Sequence, residues 1–183
     1  MRSLRRLVIA SAVAGGLLAT IPARAEPPPS STKMVPLRLT TEAIAAHPAK
    51  LQTMFGVLGL WGLGSVGVGA GLTAGGPDDF SRFAGVPVLA WGALDLGLSI
   101  YGQLRAKDDL FRGDGAEARV VADRASSSRA FWIGALLDLG AVIAGALIWN
   151  LGTTDGVRGV GAGLATQGTF HFAFDSAGFM LFR

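Results

Sequence analysis

Cysteine is absent from this chain of 183 residues, and charged side chains make up only 16% of it. Without cysteine, the chain has no disulfides, no thiolate nucleophile and no thiolate metal site. Soluble domains usually carry about a quarter charged residues, so the shortage of charge argues against an ordinary soluble protein. Half of the residues are hydrophobic and 27 are glycine. The composition therefore predicts an integral membrane protein that is surrounded by the lipid bilayer.

The small excess of basic residues comes from the start of the chain. A basic start precedes an apolar run over 7–21, and Ala23-Arg24-Ala25 has the small-x-small pattern of a cleavage site. We interpret residues 1–25 as a secretory signal peptide; the alternative is that the apolar run is kept as an anchor. Removing four of the 16 basic residues leaves 12 against 13 acidic ones, a net charge of −1. No nucleic-acid surface is therefore expected, since that requires a clustered basic face.

The rest of the chain divides into a leader and a membrane domain. Residues 26–50 form a proline-rich leader outside the membrane, with a short helix from Thr41 that is expected to end at Pro48. Residues 51–183 contain four apolar segments, each long enough to cross a hydrocarbon core of about 30 Å. Residues 105–129 form a polar loop between the second and third segments, in which residues 117–124 are a candidate for a short surface helix. The expected spans are 51–75, 83–104, 130–151 and 160–182.

Helices are the expected form of these spans, because backbone polar groups in lipid must be paired within the segment or in a closed barrel. The sequence thus predicts an all-α membrane protein, a four-helix transmembrane bundle after the signal peptide. An outer-membrane β-barrel is the alternative, since hydrophobic and other residues alternate over 94–100. The solid apolar run over 141–149 argues against a barrel, whose strands have a polar inner face.

Glycines spaced four residues apart are a first feature with a functional interpretation. They are Gly67 and Gly71 in the first span, and Gly159 and Gly163 at the start of the fourth. Small residues allow helix backbones to approach closely in a membrane. The glycines predict either packing within the bundle or contact with a second copy or another membrane protein.

Polar side chains within the spans are a second such feature. A charge at the bilayer centre costs about 2.5–3.5 kcal/mol on insertion scales, so these side chains are expected to face the bundle interior and find partners. Those of the fourth span recur every four residues and therefore share one helix face. The set predicts either a polar network that fixes the helix register or a proton or cation site. Its members are Asp95, Asp138, Gln167, His171 and Asp175.

Two of these acids lie in short stretches of similar sequence, a similarity called here the internal echo. Residues 92–97 resemble residues 134–140, and each stretch carries one aspartate two residues before its last glycine. The two spans are expected to run in opposite directions, so the echo indicates either an inverted repeat around a central site or shared packing requirements.

Enzymatic and metal chemistry have little support. The chain has two histidines. His47, which precedes Pro48 outside the spans, is expected to be solvated. One remaining histidine with carboxylates is a weak metal signal, and no Ser–His–Asp spacing can be argued from the sequence. We therefore expect no cofactor, no metal and no enzymatic activity.

Three short motifs lie in the first, third and fourth spans. They are Leu58-Gly59-Leu60-Trp61, Leu137-Asp138, and Gln167-Gly168-Thr169-Phe170 through Phe174-Asp175. In these motifs the chain resembles a family of uncharacterised small bacterial membrane proteins with four predicted transmembrane helices. It departs from that family at Ser65 and Asp95, where the family tends to have asparagine, and at His171, where the family tends to have an apolar residue. The resemblance implies a shared polar network and no established activity.

Localisation and role follow from these features as expectations. An exported leader places the mature N-terminus on the periplasmic side of a bacterial inner membrane, and the 105–129 loop on the same side. The positive-inside rule favours the reverse, because that loop is rich in basic residues. The sequence favours a structural or accessory subunit of a membrane assembly. The alternatives are a small proton- or ion-coupled permeation protein that uses the buried acids, and the outer-membrane barrel.

Overall fold

The computed structural model describes residues 39–183, and these are helical throughout apart from short connections. No strand occurs in this part of the chain, so the all-α class is confirmed and the barrel is disfavoured. The signal peptide and most of the leader lie outside the described residues. The elements are α1 (Thr41–Gly75), α2 (Asp79–Arg105), a 3₁₀ turn (Asp108–Phe111), α3 (Ala116–Leu151) and α4 (Asp155–Phe182).

Three of the helices, α1, α2 and α3, are long and apolar enough to cross a membrane. α4 has 28 residues, and at 1.5 Å per residue it has the length to cross as well. Its hydropathy is lower, because it carries Gln167, His171 and Asp175 together with several glycines. Membrane association therefore rests on α1 to α3, and the crossing of α4 stays a prediction.

α1 begins at Thr41 as expected, but it does not end at Pro48. It continues through this proline to Gly75. Proline inside a helix removes one backbone hydrogen bond and costs about 3 kcal/mol. Pro48 is buried between His47 and Leu51, which are also buried at the same end of the bundle. Packing of these buried residues offsets the free energy that the proline costs, so the helix passes from the leader into the span without a break.

The polar loop is shorter than predicted. α3 begins at Ala116, so most of the residues assigned to the loop form the first turns of a 36-residue helix. The charged residues of these turns are mostly exposed. The surface helix considered over 117–124 is the start of α3 itself, because a helix that extends beyond the apolar segment changes from apolar to polar without ending.

The helices form two antiparallel hairpins. α1 packs along α2, α3 packs along α4, and α2 also lies along α4, whereas α1 and α3 meet only slightly. Each hairpin turns within a few residues at a capped helix start. Asp78 accepts a hydrogen bond from Ser81 N–H at 2.8 Å, and Thr154 accepts one from Val157 N–H at 3.3 Å. The two inner helices, α2 and α4, therefore position the polar side chains between the hairpins.

Candidate intramembrane polar site

The most deeply buried acid of the bundle lies between α2 and α4. Asp95 is 0% exposed, and its Oδ2 lies 3.2 Å from Nε2 of His171. The alignment falls short of a hydrogen bond, so both carboxyl oxygens of Asp95 lack a hydrogen-bond partner in the described part of the chain. α1 approaches Asp95 through Gly62, where an added Cβ would lie 2.9 Å from the Cβ of Asp95. The carboxyl group thus lies beside an imidazole, but within residues 39–183 it accepts no hydrogen bond that would replace those of water.

Two further acids lie beside this pair, on α3 and α4. The carboxyl groups of Asp138 and Asp175 lie within hydrogen-bonding reach of each other, and both interact electrostatically with His171. Asp175 packs directly against Gly134, where a side chain would collide with its carboxyl group. Two carboxyl groups at this separation hydrogen-bond when one of them holds a proton. The second pair is therefore a place where a proton can be held next to the imidazole.

Gln167 connects α4 to α1 one turn before His171. Its Oε1 accepts a hydrogen bond from Trp61 Nε1 at 3.0 Å, and its Nε2 donates one to Ser65 Oγ at 3.2 Å. The ring of Trp61 stacks on Phe170, with 3.9 Å between the ring centroids. Because the amide is 1% exposed and bonded at both ends, Gln167 fixes the register of α1 against α4.

The five predicted polar residues are thus brought together on three helices. Asp95 and His171 form one pair, Asp138 and Asp175 form the other, and Gln167 bonds to α1 instead. Within residues 39–183, no three His, Asp or Glu side chains are placed so that they could hold a metal ion. The arrangement can bind and exchange protons.

Gly159 and Gly163 lie where α4 meets α2. A Cβ on either glycine would collide with the backbone of α2, at Phe80 for the first and at Ala84 for the second. These two positions therefore allow the close approach of the two inner helices, as expected for small residues in a membrane protein.

Gly67 and Gly71 lie elsewhere. Nothing stands within 4 Å of a Cβ added at either position, and both are exposed. α1 instead packs on α2 through Gly62 and Gly69, whose added Cβ atoms would collide with the backbone of α2. Four-residue spacing alone does not distinguish these two faces of α1.

His47 is buried and paired, so its prediction as a solvated residue was wrong. It is 2% exposed, and its Nε2 lies 2.8 Å from Oδ2 of Asp123. Its ring packs edge-on against Phe111 and Phe182, at centroid distances of 4.9 and 5.7 Å. The start of α3 continues the span without a break and places Asp123 beside α1. Sequence reasoning missed Asp123, because a separate surface helix over 117–124 gives no reason to place this residue next to His47.

A family model covers all the residues of the intramembrane site, from Trp61 to Asp175. It describes a family of unknown function (DUF6992) and matches residues 57–176. The chain belongs to this family. No curated protein and no solved structure matches the chain. The matched range excludes the leader and the start of α1, so His47 lies outside it.

Proposed function

We propose that this protein is a small, non-enzymatic proton permeation protein, in which a proton is taken up and released at the Asp95–His171 pair. The supporting observation is the environment of Asp95. Its carboxyl group is 0% exposed, accepts no hydrogen bond from the described residues 39–183, and lies 3.2 Å from an imidazole. Histidine exchanges protons near neutral pH, and a carboxyl group beside it alters that exchange.

The neighbouring groups favour proton exchange over a purely structural ion pair. Buried ion pairs that only stabilise a fold need further hydrogen bonds to offset their desolvation, and the oxygens of Asp95 accept none from residues 39–183. The carboxyl groups of Asp138 and Asp175 lie close to His171. Asp175 is only partly buried, so the acids and the imidazole form a series from the bundle interior toward its surface.

The proposal includes four crossings of a bacterial inner membrane after removal of the signal peptide. α4 supplies His171 and Asp175, and it packs along both α2 and α3. Those contacts cover the polar residues that lower its hydropathy, which makes a crossing of α4 compatible with lipid around the outer helices. The mature N-terminus is proposed to be periplasmic.

Proton flux into vesicles tests this function. The purified protein is reconstituted into liposomes that contain a trapped pH-sensitive dye, and a pH gradient is imposed. We expect the wild type to collapse the gradient at least tenfold faster than protein-free liposomes. Asp95→Asn and Asp138→Asn should reduce the rate to that of protein-free liposomes, because neither amide exchanges a proton near neutral pH.

The matched control is Asp114→Asn, since Asp114 is an exposed acid in the connection before α3. This variant should conduct like the wild type. Melting temperatures measured in detergent separate loss of function from loss of fold. Wild-type liposomes that leak no faster than protein-free ones would refute the proposal, as would an Asp95→Asn variant that keeps full flux.

A second candidate function is that of an accessory subunit, and the outer face of α1 favours it. Gly64, Gly67, Gly71 and Gly75 are exposed, and an added Cβ on any of them meets nothing within 4 Å. A helix face of small residues gains little packing with lipid tails, but it allows another helix to approach closely. The partner helix would come from a second copy or from another membrane protein, and replacing Gly67 by leucine should displace it.

A further inference from the structure

Several residues of the first hairpin recur in the second hairpin with a shift of 76 positions. Phe55, Asp79 and Arg82 recur at that distance as Phe131, Asp155 and Arg158. The repeated aspartate is the first residue of α2 and again of α4. Six glycines of the first hairpin also recur in the second: Gly64 as Gly140, Gly69 as Gly145, Gly76 as Gly152, Gly85 as Gly161, Gly92 as Gly168, and Gly102 as Gly178.

The contacts at these positions repeat as well. A Cβ added at Gly92 would lie 2.8 Å from the carbonyl oxygen of Gly62, and one at Gly168 would lie 3.1 Å from that of Asp138. The second contact again follows the first by 76 residues. Two further contacts repeat in the same way. Gly85 packs against the backbone of Gly69, and Gly161 packs against that of Gly145. Gly102 packs against the ring of Phe55, and Gly178 packs against the ring of Phe131. The two hairpins therefore share their internal packing as well as residues.

The equivalent inner helices pack against each other. α2 and α4 run in the same direction, since each returns from a short turn after an outer helix, and they lie side by side. Two equivalent hairpins in this arrangement are related by a pseudo-two-fold axis along the bundle. Some transporters are built from parallel repeats of this kind, and their sites lie at the interface between the repeats.

Both His–Asp pairs join equivalent positions. His171 follows Asp95 by 76 residues, and Asp123 follows His47 by the same number. Equivalent residues that contact each other must lie next to the axis that relates them. Each pair therefore links the two hairpins across the axis, one inside the bundle and the other at the end where α1 and α3 begin.

We propose that the hairpins are two copies of one duplicated unit, and that protonation of the cross-axis His–Asp pairs controls the separation of the two units. This inference rests on the proposed function, in which Asp95 and His171 bind the transported proton. When both members of a pair are ionised, their attraction holds the units together. Protonation of the aspartate removes that attraction and leaves a cation at the interface.

Further charged groups face both pairs. Asp138 of α3 and Asp175 of α4 face the central pair from the unit that holds His171, and while they are ionised they repel Asp95 across the axis. α1 carries no titratable side chain over 51–75. At the outer pair, Nη2 of Arg105 lies 4.0 Å from Oδ1 of Asp123, so this carboxylate attracts a second group of the opposite unit. Protonation of the aspartate of each pair therefore removes the attraction across the axis and favours separation.

Distances between spin labels test the inference in the full-length protein in lipid nanodiscs. The chain has no cysteine, so pairs of introduced cysteines are labelled specifically. Two label pairs report across the axis: Pro77→Cys with Thr153→Cys, and Lys107→Cys with Arg183→Cys. Two report within a unit: Pro77→Cys with Lys107→Cys, and Thr153→Cys with Arg183→Cys. All four positions are exposed, and the second of each cross-axis pair follows the first by 76 residues.

We expect the two within-unit distances to agree within the spread of the labels and to stay constant with pH. At least one cross-axis distance should increase as the pH falls from about 8 to about 4, the range over which free histidine and aspartate side chains gain protons. The Asp95→Asn, His171→Asn double variant should lose most of this change. Asp114→Asn is the matched control and should respond like the wild type.

Three results would overturn the inference: cross-axis distances that do not change with pH, within-unit distances that change along with them, or a response that persists unaltered in the double variant. The outer pair is tested separately with His47→Asn, Asp123→Asn, so that failure of one variant to fold leaves the other informative. A pH response without proton flux in liposomes would support the movement of the units and refute the proposed function. Proton flux that depends on Asp95 without any movement of the units would support the proposed function and refute the movement.

Discussion

Asp78 caps the start of α2 and Thr154 caps the start of α4, at positions 76 residues apart. Only Asp78 has a side chain that titrates. The backbone N–H of Ser81 donates to its carboxylate and holds the pKa of Asp78 below its usual value. A carboxylate whose pKa is lowered by folding stabilises the folded state above its unfolded pKa, and this contribution is lost as the pH falls through the folded pKa. The cap of α2 therefore weakens in acid, whereas the threonine cap of α4 does not.

We expect Asp78→Asn to remove this pH dependence while keeping a cap, since asparagine is a comparable N-cap residue. The melting temperature of the wild type should exceed that of the variant at neutral pH, and the difference should shrink below about pH 4. Scanning fluorimetry in detergent measures both. Thr154→Ala is the control, with a pH-independent loss of about 1 kcal/mol. A difference between wild type and Asp78→Asn that widens on acidification would contradict this account.

Single polar residues in the spans could be predicted as site residues from the sequence, because a charged side chain in lipid costs free energy. A charged side chain in an apolar segment is rare enough to mark Asp95, Asp138 and Asp175. The partner of each acid was not predictable, because it depends on how α2, α3 and α4 are rotated against one another. That rotation is set by glycine contacts such as Gly62 against Asp95, which spacing within one helix does not reveal.

At the scale of helices, α1 has two glycine faces with opposite surroundings. Gly69 packs on α2, where an added Cβ would lie 2.7 Å from Cα of Leu89, while Gly67 points into open space. The sequence locates the apolar part of this helix but does not show which face α2 covers. It also places the end of the first helix at Pro48 instead of continuing that helix into the span, because Pro48 and the polar residues before the span resemble the end of a leader.

Substitutions on these two faces should separate packing within the bundle from association with a partner. Gly69→Ala forces backbones apart and should destabilise the protein by about 1–3 kcal/mol. Gly67→Ala should be neutral or stabilising by about 0.5–1 kcal/mol, since alanine favours a helix over glycine. Gly67→Leu should keep the melting temperature but remove the partner protein or second copy that co-purifies in mild detergent. Melting curves and mass spectrometry of the purified complex measure both effects.

The same association in Gly67→Leu and in the wild type would count against a partner helix on this face. A Gly69→Ala variant as stable as the wild type would contradict the close packing of α1 on α2. The pair is a matched comparison, because both glycines lie on α1 only two residues apart.

For the whole molecule, the duplication explains why the internal echo in the sequence was misleading. The echo compares residues 92–97 of α2 with residues 134–140 of α3. α2 is the second helix of its hairpin, whereas α3 is the first helix of the other hairpin. The structure instead relates α2 to α4 and α1 to α3. The matching positions are spread over two helices each and are mostly glycines, so no short segment reveals them. Their common shift becomes meaningful once the same backbone contacts are seen in both hairpins.

The duplication also makes a prediction about topology, because residues 76 positions apart must lie on the same side of the membrane. With a periplasmic N-terminus and four crossings, Lys107→Cys and Arg183→Cys should react with a membrane-impermeant maleimide in spheroplasts of an expressing bacterium. Pro77→Cys and Thr153→Cys should react only after the membrane is permeabilised. The cysteine-free wild type is the control for background labelling.

Each deviation from this pattern identifies a different error. Labelling of Pro77→Cys and Thr153→Cys alone in intact spheroplasts would keep four crossings and reverse the orientation, as the positive-inside rule favours. Protection of Arg183→Cys together with Thr153→Cys would show that α4 does not cross. In that case His171 and Asp175 would lie on a helix outside the span, and a proton path through the Asp95–His171 pair would lose its basis. The four labelling reactions thus test the fold, the duplication and the proposed function together, because all three require α2 and α4 to cross in the same direction.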